Sequence, residues 1–98
     1  MDANLISRLF FGRACRLPLA IWILHLEGGR FYQSEPPRSI APQTAITQEL
    51  SRFVELGLLH EERSGSEHRV YYLRTTSPLW GIIEACVDLV SDQVAAPQ

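Results

Sequence analysis

Residues 42–56 contain several uncharged side chains that can form hydrogen bonds, among them Thr44, Thr47, Gln48 and Ser51. The apolar residues Ile46, Leu50 and Phe53 of the same segment are spaced at i, i+4 and i+7, which predicts a helix with one face packed inward. The polar residues fall on the other face. A glutamine amide can pair with adenine and a threonine can contact the methyl group of thymine, so this face suits base edges in a DNA major groove. A solvated helix face without a ligand is the plainer alternative.

Both ends of this helix carry sequence signals. Pro42 stands near the first turn, where an amide N–H has no helical partner, and Gly57 follows the last turn, where the chain needs a left-handed residue. After Gly57 come two extended stretches, residues 58–63 and 68–74, on either side of a turn-forming Ser-Gly-Ser sequence. The second stretch is rich in β-branched and aromatic residues, so the pattern predicts a β-hairpin with a loose tip.

A helix, the residues G-L-L, and a hairpin with arginines on its arms and V-Y-Y-L on its second strand resemble the winged helix-turn-helix domain of ArsR- and MarR-type bacterial transcriptional regulators. The resemblance extends over about residues 17–90. It implies a mainly α fold with a small β-hairpin, an α+β fold, with additional N- and C-terminal helices. It also implies sequence-specific binding of double-stranded DNA, with helix 42–56 in the major groove and the hairpin 60–74, the wing, on the backbone or in the minor groove.

Carried over to this chain, the resemblance implies three kinds of DNA contact. The residues that would read bases are Gln43, Thr44, Thr47 and Gln48. The residues that would border phosphates next to them are Ser51 and Arg52, and the wing contacts would come from Arg63, His68 and Arg69. Arg38 would contact a phosphate from a short helix over about residues 35–40, the first helix of the helix-turn-helix pair. Ser34 would cap that helix, and Pro36 and Pro37 would occupy its first turn, where they remove only N–H groups without helical partners.

The remaining elements fit one domain of 98 residues, since the chain is long enough for one hydrophobic core and too short for two. We expect an N-terminal helix within residues 1–16 and a winged-helix core over residues 17–75. The core would open with a helix over about residues 17–27 that ends at Gly28 and Gly29, followed by a short extended segment at Phe31 and Tyr32. Residues 77–91 would form a C-terminal helix that begins at Ser77 and Pro78, and residues 92–98 a tail.

The predicted C-terminal helix has a wide apolar stripe, formed by Leu79, Ile82, Ile83, Cys86, Val87 and Val90. Together with the apolar first helix, this stripe indicates a homodimer, because an apolar surface of that extent on a small protein usually means association. A two-fold dimer would hold two reading helices about one DNA turn, or about 34 Å, apart. In the alternative, both terminal helices only close the core of the monomer.

The charge of the chain argues against an indiscriminate nucleic-acid binder. Nine arginines, with no lysine, face eleven acidic residues, which gives a formal charge of −2. DNA binding would therefore need local positive charge. Five arginines could supply it, namely Arg38, Arg52, Arg63, Arg69 and Arg74. Five glutamates are interspersed among them, namely Glu49, Glu55, Glu61, Glu62 and Glu67. This balance keeps open a second function, a winged-helix module that binds proteins and not DNA.

Other functions have less support in the sequence. No catalytic motif is present, so we expect no enzyme activity and no cofactor. The cysteine pair and the histidine and acidic ligands of metal-sensing ArsR members are missing, so we expect no metal.

Cys15 and Cys86 are expected to be buried thiols, with a thiol switch between them as the less favoured alternative. The apolar run at residues 17–24 is too short to span a membrane, and we expect a cytoplasmic protein. The sequence identifies no small-molecule effector.

Overall fold

Four helices and three strands are found along residues 3–63 and 69–95, the part of the chain that the computed structural model describes. The helices are α1 (Ala3–Phe11), α2 (Arg16–Leu24), α3 (Gln43–Glu55) and α4 (Leu79–Ala95). The strands are β1 (Arg30–Tyr32), β2 (Leu59–Arg63) and β3 (Val70–Arg74), which form one antiparallel sheet in the order β1-β3-β2. The coarse class predicted from the sequence, α+β with a small sheet, is confirmed.

The helix predicted at residues 42–56 is α3, and its ends are made by the residues that the sequence indicated. Pro42 is the N-cap, with φ −60° and ψ 152°, and its carbonyl accepts from the amide of Ile46 at 3.1 Å. At the other end, the amide of Leu58 donates to the carbonyl of Phe53 at 2.9 Å, and that of Gly57 donates to Val54 at 3.0 Å. This pair of bonds is a Schellman motif, which needs the positive φ of 81° at Gly57.

The predicted hairpin is confirmed as β2 and β3, and β3 also pairs with β1 on its other edge. The sequence predicted β1 only as an extended segment and did not predict its pairing. Side chains alternate across the sheet, so Phe31 and Tyr72, which are partners in the register, both point inward and are buried. Their rings stack at 5.5 Å, and Trp22 of α2 meets Phe31 edge-on at 5.3 Å.

The short helix predicted over residues 35–40 is wrong. The segment is irregular and ends in a turn, in which the amide of Ile40 donates to the carbonyl of Pro37 at 3.0 Å. Pro36 and Pro37 have no N–H to donate, and each disfavours the helical conformation in the residue before it. The few remaining amides cannot offset the cost of nucleating a helix. The proline positions, which the first turn of a longer helix would tolerate, prevent a helix of this length.

Helix α2 is also shorter than predicted, because residues 25–27 leave the helix to form a turn. The amides of His25 and Leu26 still donate to the carbonyls of Ile21 and Ile23. The exposed end of α2 is then capped by Arg74 from β3, whose Nη1 donates to the carbonyls of residues 23, 24 and 26 at 2.6, 2.9 and 3.0 Å. Gly29 makes room for this contact, since a Cβ there would lie 3.1 Å from the Cβ of Arg74.

The hydrophobic core lies around α2, on which both α1 and α4 pack. The buried residues of α2 are Leu17, Leu19, Ala20 and Ile23. Helix α4 begins as predicted, with Ser77 Oγ accepting from the amide of Leu79 at 3.2 Å, and it extends to Ala95, beyond the predicted end. Trp80 is buried and donates through Nε1 to the carbonyl of Leu58 at 3.1 Å, which joins α4 to the end of α3. Among the described residues, no helix combines the length and the apolar character that crossing a membrane requires.

Candidate functional site

Helix α3 separates its apolar and polar residues as the sequence predicted. Ile46 and Leu50 are 0% exposed and Phe53 is 2% exposed. The opposite face holds three exposed polar residues, Thr44, Gln48 and Ser51, followed by Arg52, whose side chain is 52% exposed. This polar face of α3, defined by those four residues, is the candidate site. Its exposed groups are donors and acceptors on a rigid helix, which is the arrangement that can recognise the edge of another molecule.

Gln43 and Thr47, which were also predicted to read bases, lie at the margin of this face and are half-buried. The Nε2 of Gln43 donates to the carbonyl of Gln33 at 3.0 Å and to Oγ1 of Thr47 at 3.2 Å. The Oε1 of Gln43 is buried without a hydrogen-bond partner among the described residues. These contacts hold Gln43 against the segment after β1, so its amide is turned away from the polar face.

Glu49, next to Gln48, is a charged residue whose side chain is 0% exposed. Arg16 of α2 binds its carboxylate with two nitrogens, Nε to Oε1 at 2.6 Å and Nη2 to Oε2 at 3.3 Å. Arg13, in the turn between α1 and α2, donates from Nη1 to Oε2 at 2.8 Å. Arg52 lies 3.9 Å from the same oxygen. A buried carboxylate needs such partners, because an unpaired charge in the interior is strongly unfavourable.

The ionisation of Glu49 follows from these contacts. Burial alone would raise the pKa of the Glu49 carboxyl, but hydrogen bonds and positive charge from Arg16, and then from Arg13, outweigh burial and hold this pKa below its ordinary value of 4.5. Glu49 is therefore charged at neutral pH. Three arginines surround this one carboxylate, so this part of α3 carries a local surplus of positive charge although the whole chain is acidic.

The turn that carries Arg13 is fixed by contacts of its own. Gly12 takes a positive φ of 82° after α1, and the buried Ser7 donates from Oγ to the carbonyl of Arg13. The same Oγ accepts from the amide of Leu17 at 2.8 Å, and Arg16 Nη1 donates to the carbonyl of Phe11. The turn is thereby held in one conformation, which places Arg13 beside α3.

Arg13 also contacts the polar face directly. Its Nη1, which binds Glu49, donates as well to Oε1 of Gln48 at 3.2 Å. Arg13 and Arg16 were not predicted from the sequence, in which Glu49 was expected to be an opposing charge. The two arginines lie 33 to 36 residues before their partner, and helical periodicity carries no information over that distance. The available signal was an R-x-x-R sequence between two apolar helices.

The arginines predicted for the wing have partners on the sheet. Arg63 is an exposed residue at the end of β2, and its Nε binds Glu61 at 3.1 Å. Arg69 is exposed and directly precedes β3, with its guanidinium 5.0 Å from the centre of the Tyr32 ring. His68 lies outside the described residues. Exposed ion pairs such as Arg63–Glu61 are weak, so Arg63 can exchange this partner for another anion at little cost.

Two other arginines have different places. Arg38 is exposed in the turn segment that replaces the predicted short helix. Arg74, which was expected to be a possible source of positive charge for DNA, is half-buried against the end of α2. Its guanidinium neutralises the carbonyls there and is not presented to a ligand.

The remaining chemistry-bearing residues do not form a second site in the described part of the chain. Cys15 and Cys86 are free thiols, both half-buried. Burial raises the pKa of the Cys86 thiol, which is the opposite of the shift that an activated thiolate needs. In residues 3–63 and 69–95, no three histidine, cysteine or acidic side chains are grouped so that they could hold a metal ion.

The chain was compared with protein-family models, with curated proteins and with solved structures, and none of the three comparisons found a match.

Proposed function

We propose that this protein is a winged-helix transcriptional regulator that binds double-stranded DNA as a homodimer, with α3 in the major groove. The observation that carries the proposal is the polar face of α3, where exposed Gln48, Thr44 and Ser51 stand beside arginines while the neighbouring Glu49 is buried and paired. Short uncharged donors and acceptors suit base edges, and the flanking arginines suit phosphates.

The order of elements supports a winged helix as the finer description of the fold. A strand, β1, precedes α3, and a hairpin, β2 and β3, follows it directly and takes β1 as its third strand. In the ArsR- and MarR-type regulators that the sequence resembles, the corresponding hairpin is the wing. Arg63 is the last residue of β2 and Arg69 directly precedes β3, so both lie beside the connection between these strands, where a wing would contact the DNA backbone. The turn segment in place of the first helix of the pair is a departure from that pattern.

The outer side of α4 supports the dimer. Ile82 and Leu89 are 51% and 44% exposed, and Ala85 between them is exposed as well. Their spacing at i, i+3 and i+7 makes a continuous apolar stripe, here called the α4 stripe, which is typical of a seam between two helices. Trp80 and Ile83 on the inner side of α4 close the core of the monomer. Core closure therefore accounts for the inner side of α4 and leaves its outer side available for the proposed dimer.

A binding experiment tests DNA recognition. We would select duplexes from a randomised library and measure the affinity of the selected and of random duplexes by fluorescence anisotropy at two salt concentrations. We expect the selection to yield a preferred DNA sequence, and we expect binding to weaken steeply as the salt concentration rises. Gln48→Ala should lose about 5- to 150-fold of preference at one base position. Arg52→Ala should weaken binding to all sequences and lower the salt dependence by about one counterion.

Arg30→Ala is the matched control for Arg52→Ala. Arg30 lies on the solvent face of the sheet, opposite the buried Phe31 and Tyr72, and it pairs with Glu62 at 3.3 Å. Its replacement therefore removes one positive charge, as Arg52→Ala does, but from the sheet and not from α3. It should leave binding nearly unchanged. If neither selected nor random duplexes bind at low salt, the DNA-binding function is wrong, and a protein-binding module is the function to test next. As a DNA-binding regulator the protein would act in the bacterial cytoplasm.

A further inference from the structure

We infer that Arg13 is a positioning residue that sets sequence specificity by holding the side-chain amide of Gln48 in one orientation on the polar face of α3. The inference rests on the proposed function, since it assigns the orientation of the residue that would read a base. It comes from one geometric feature, a guanidinium that bridges a buried carboxylate and an exposed amide on adjacent residues of the same helix.

The carboxylate of Glu49 is the anchor of this bridge. Its side chain is fully buried, and it is held from α2 by the two-nitrogen contact with Arg16. Arg13 binds the same carboxylate at 2.8 Å, and its side chain is 35% exposed, against 19% for Arg16. The guanidinium of Arg13 therefore extends from the buried anchor towards solvent, and the exposed Gln48 lies at that outer end.

The hydrogen bond from Arg13 distinguishes the two ends of the Gln48 amide. Because Arg13 can only donate, it selects the oxygen Oε1, at 3.2 Å, and leaves the Nε2 amino group for an external partner. An amino group donates to acceptors, and those on base edges in the major groove are purine N7, guanine O6 and thymine O4. Without Arg13 the amide could turn over and offer either end. The position that Gln48 contacts would then be read less selectively.

The loss of Arg13 should leave the fold in place, although it removes one of the partners of Glu49. In Arg13→Met, Glu49 would keep both contacts with Arg16, and the backbone carbonyl of residue 13 would keep the hydroxyl of Ser7. Arg52→Met is the matched control, because Arg52 flanks the same carboxylate at 3.9 Å and is exposed. Both variants lose one charge beside α3. Only Arg13→Met loses the hydrogen bond to Gln48.

The test is a comparison of base preference among variants. The position that Gln48 reads is the one whose preference Gln48→Ala abolishes, and competition binding with the four bases at that position gives the preference of each protein. We expect Arg13→Met to lower it about 2- to 10-fold, the effect of freeing one long side chain, with preferences elsewhere intact. Arg13→Met should have no effect on base preference in a Gln48→Ala background. Arg52→Met should weaken all duplexes and keep the preference.

Two results would overturn the inference while the proposed function stands. One is an Arg13→Met protein that selects the wild-type sequence with undiminished preference. The other is uniform weakening with a reduced salt dependence, which would make Arg13 a phosphate contact only. A wild-type protein that selects no sequence overturns both. Side-chain amide NMR of the DNA-free protein adds an independent readout, since the Gln48 NH₂ group should be ordered in the wild type and mobile in Arg13→Met, while circular dichroism verifies the fold of the variant.

Discussion

At the level of single residues, Glu49 determines the local charge beside α3 and the placement of the arginines that bind it. Its carboxylate is buried at the contact between α3 and the turn before α2, where Arg13 and Arg16 neutralise it. A glutamate that looked like an obstacle to an anionic ligand is thus an anchor for two arginines. The number of charges in a sequence is a poor guide to the electrostatic field at a protein surface, because burial and pairing decide which charges act on a ligand.

The pairing makes stability depend on pH. Since the pKa of folded Glu49 is below its ordinary value of 4.5, its contribution is fully present above that value and is lost as the pH falls through the lower, folded pKa. Glu49→Gln leaves the arginines without their anion and should lower the free energy of unfolding by about 3 kcal/mol at pH 7, the low end for a buried pair because both arginines are partly solvated. Urea unfolding at a series of pH values measures this.

The difference between wild type and Glu49→Gln should shrink as the pH drops below 4.5, because protonation removes from the wild type the charge that the variant lacks. Glu55→Gln is the control, since Glu55 is exposed on the same helix. It should change the stability by less than about 0.5 kcal/mol. A constant difference for Glu49→Gln down to strongly acidic pH would contradict this account of the ion pair.

Single residues also show where sequence reasoning worked. Burial of Ile46, Leu50 and Phe53 follows from helical period alone and was predicted. The half-buried position of Gln43 was not, because it depends on the carbonyl of Gln33, which only the folded path of the turn segment brings near. Periodicity assigns a residue to a face, and tertiary contacts decide what a residue at the edge of that face does.

At the level of elements, the boundaries of α3 and the hairpin of β2 and β3 were predictable, because turn chemistry is local. Proline and glycine gave correct boundaries for α3, and the hairpin followed from β-branched and aromatic residues around a turn. The prediction of a helix at residues 35–40 was wrong for a related reason. Prolines are tolerated in the first turn of a long helix, but this segment is too short to have further turns. The pairing of β1 with β3 joins residues about 40 positions apart, which no local pattern specifies.

Two glycines make a paired test of these rules. Gly57 has φ 81° with open space around its Cα, so Gly57→Ala meets only backbone strain and should destabilise the protein by about 1–2 kcal/mol. Gly81 lies in the first turn of α4, also in open space but without a positive φ. Gly81→Ala should therefore stabilise the protein, by about 0.5–1 kcal/mol. Thermal unfolding at one protein concentration measures both, and equal signs for the two variants would be inconsistent with these conformations.

At the level of the whole molecule, the polar face of α3 and the α4 stripe are two exposed surfaces of the described part of the chain. The first is polar with local positive charge, and the second is apolar. Such surfaces suit different partners, an anionic polymer and a second copy of the chain. The arrangement explains how a chain with a formal charge of −2 could still bind DNA, since the acidic residues need only lie elsewhere.

The proposed dimer has its own prediction. Ile82→Glu places a charge at one end of the α4 stripe and should convert the proposed dimer to a monomer, because a charge buried at a helix seam without a partner is unfavourable. Analytical ultracentrifugation measures the mass, and circular dichroism should show unchanged helix, since Ile82 is 51% exposed in the monomer. Glu84→Gln changes the charge outside the stripe and should remain dimeric. A monomeric wild type at high concentration would rule out the seam.

The contact between Gly29 and Arg74 has an evolutionary consequence. Position 29 leaves room for the arginine because it has no side chain, and the two backbones are joined by the amide of Arg74 and the carbonyl of Gly29 at 2.8 Å. Position 29 also has a φ of 66°, which residues with a side chain rarely adopt, so glycine is favoured there even without the arginine. In descendants of this chain, arginine at 74 should therefore be lost where glycine at 29 is replaced, whereas glycine at 29 can outlast the arginine.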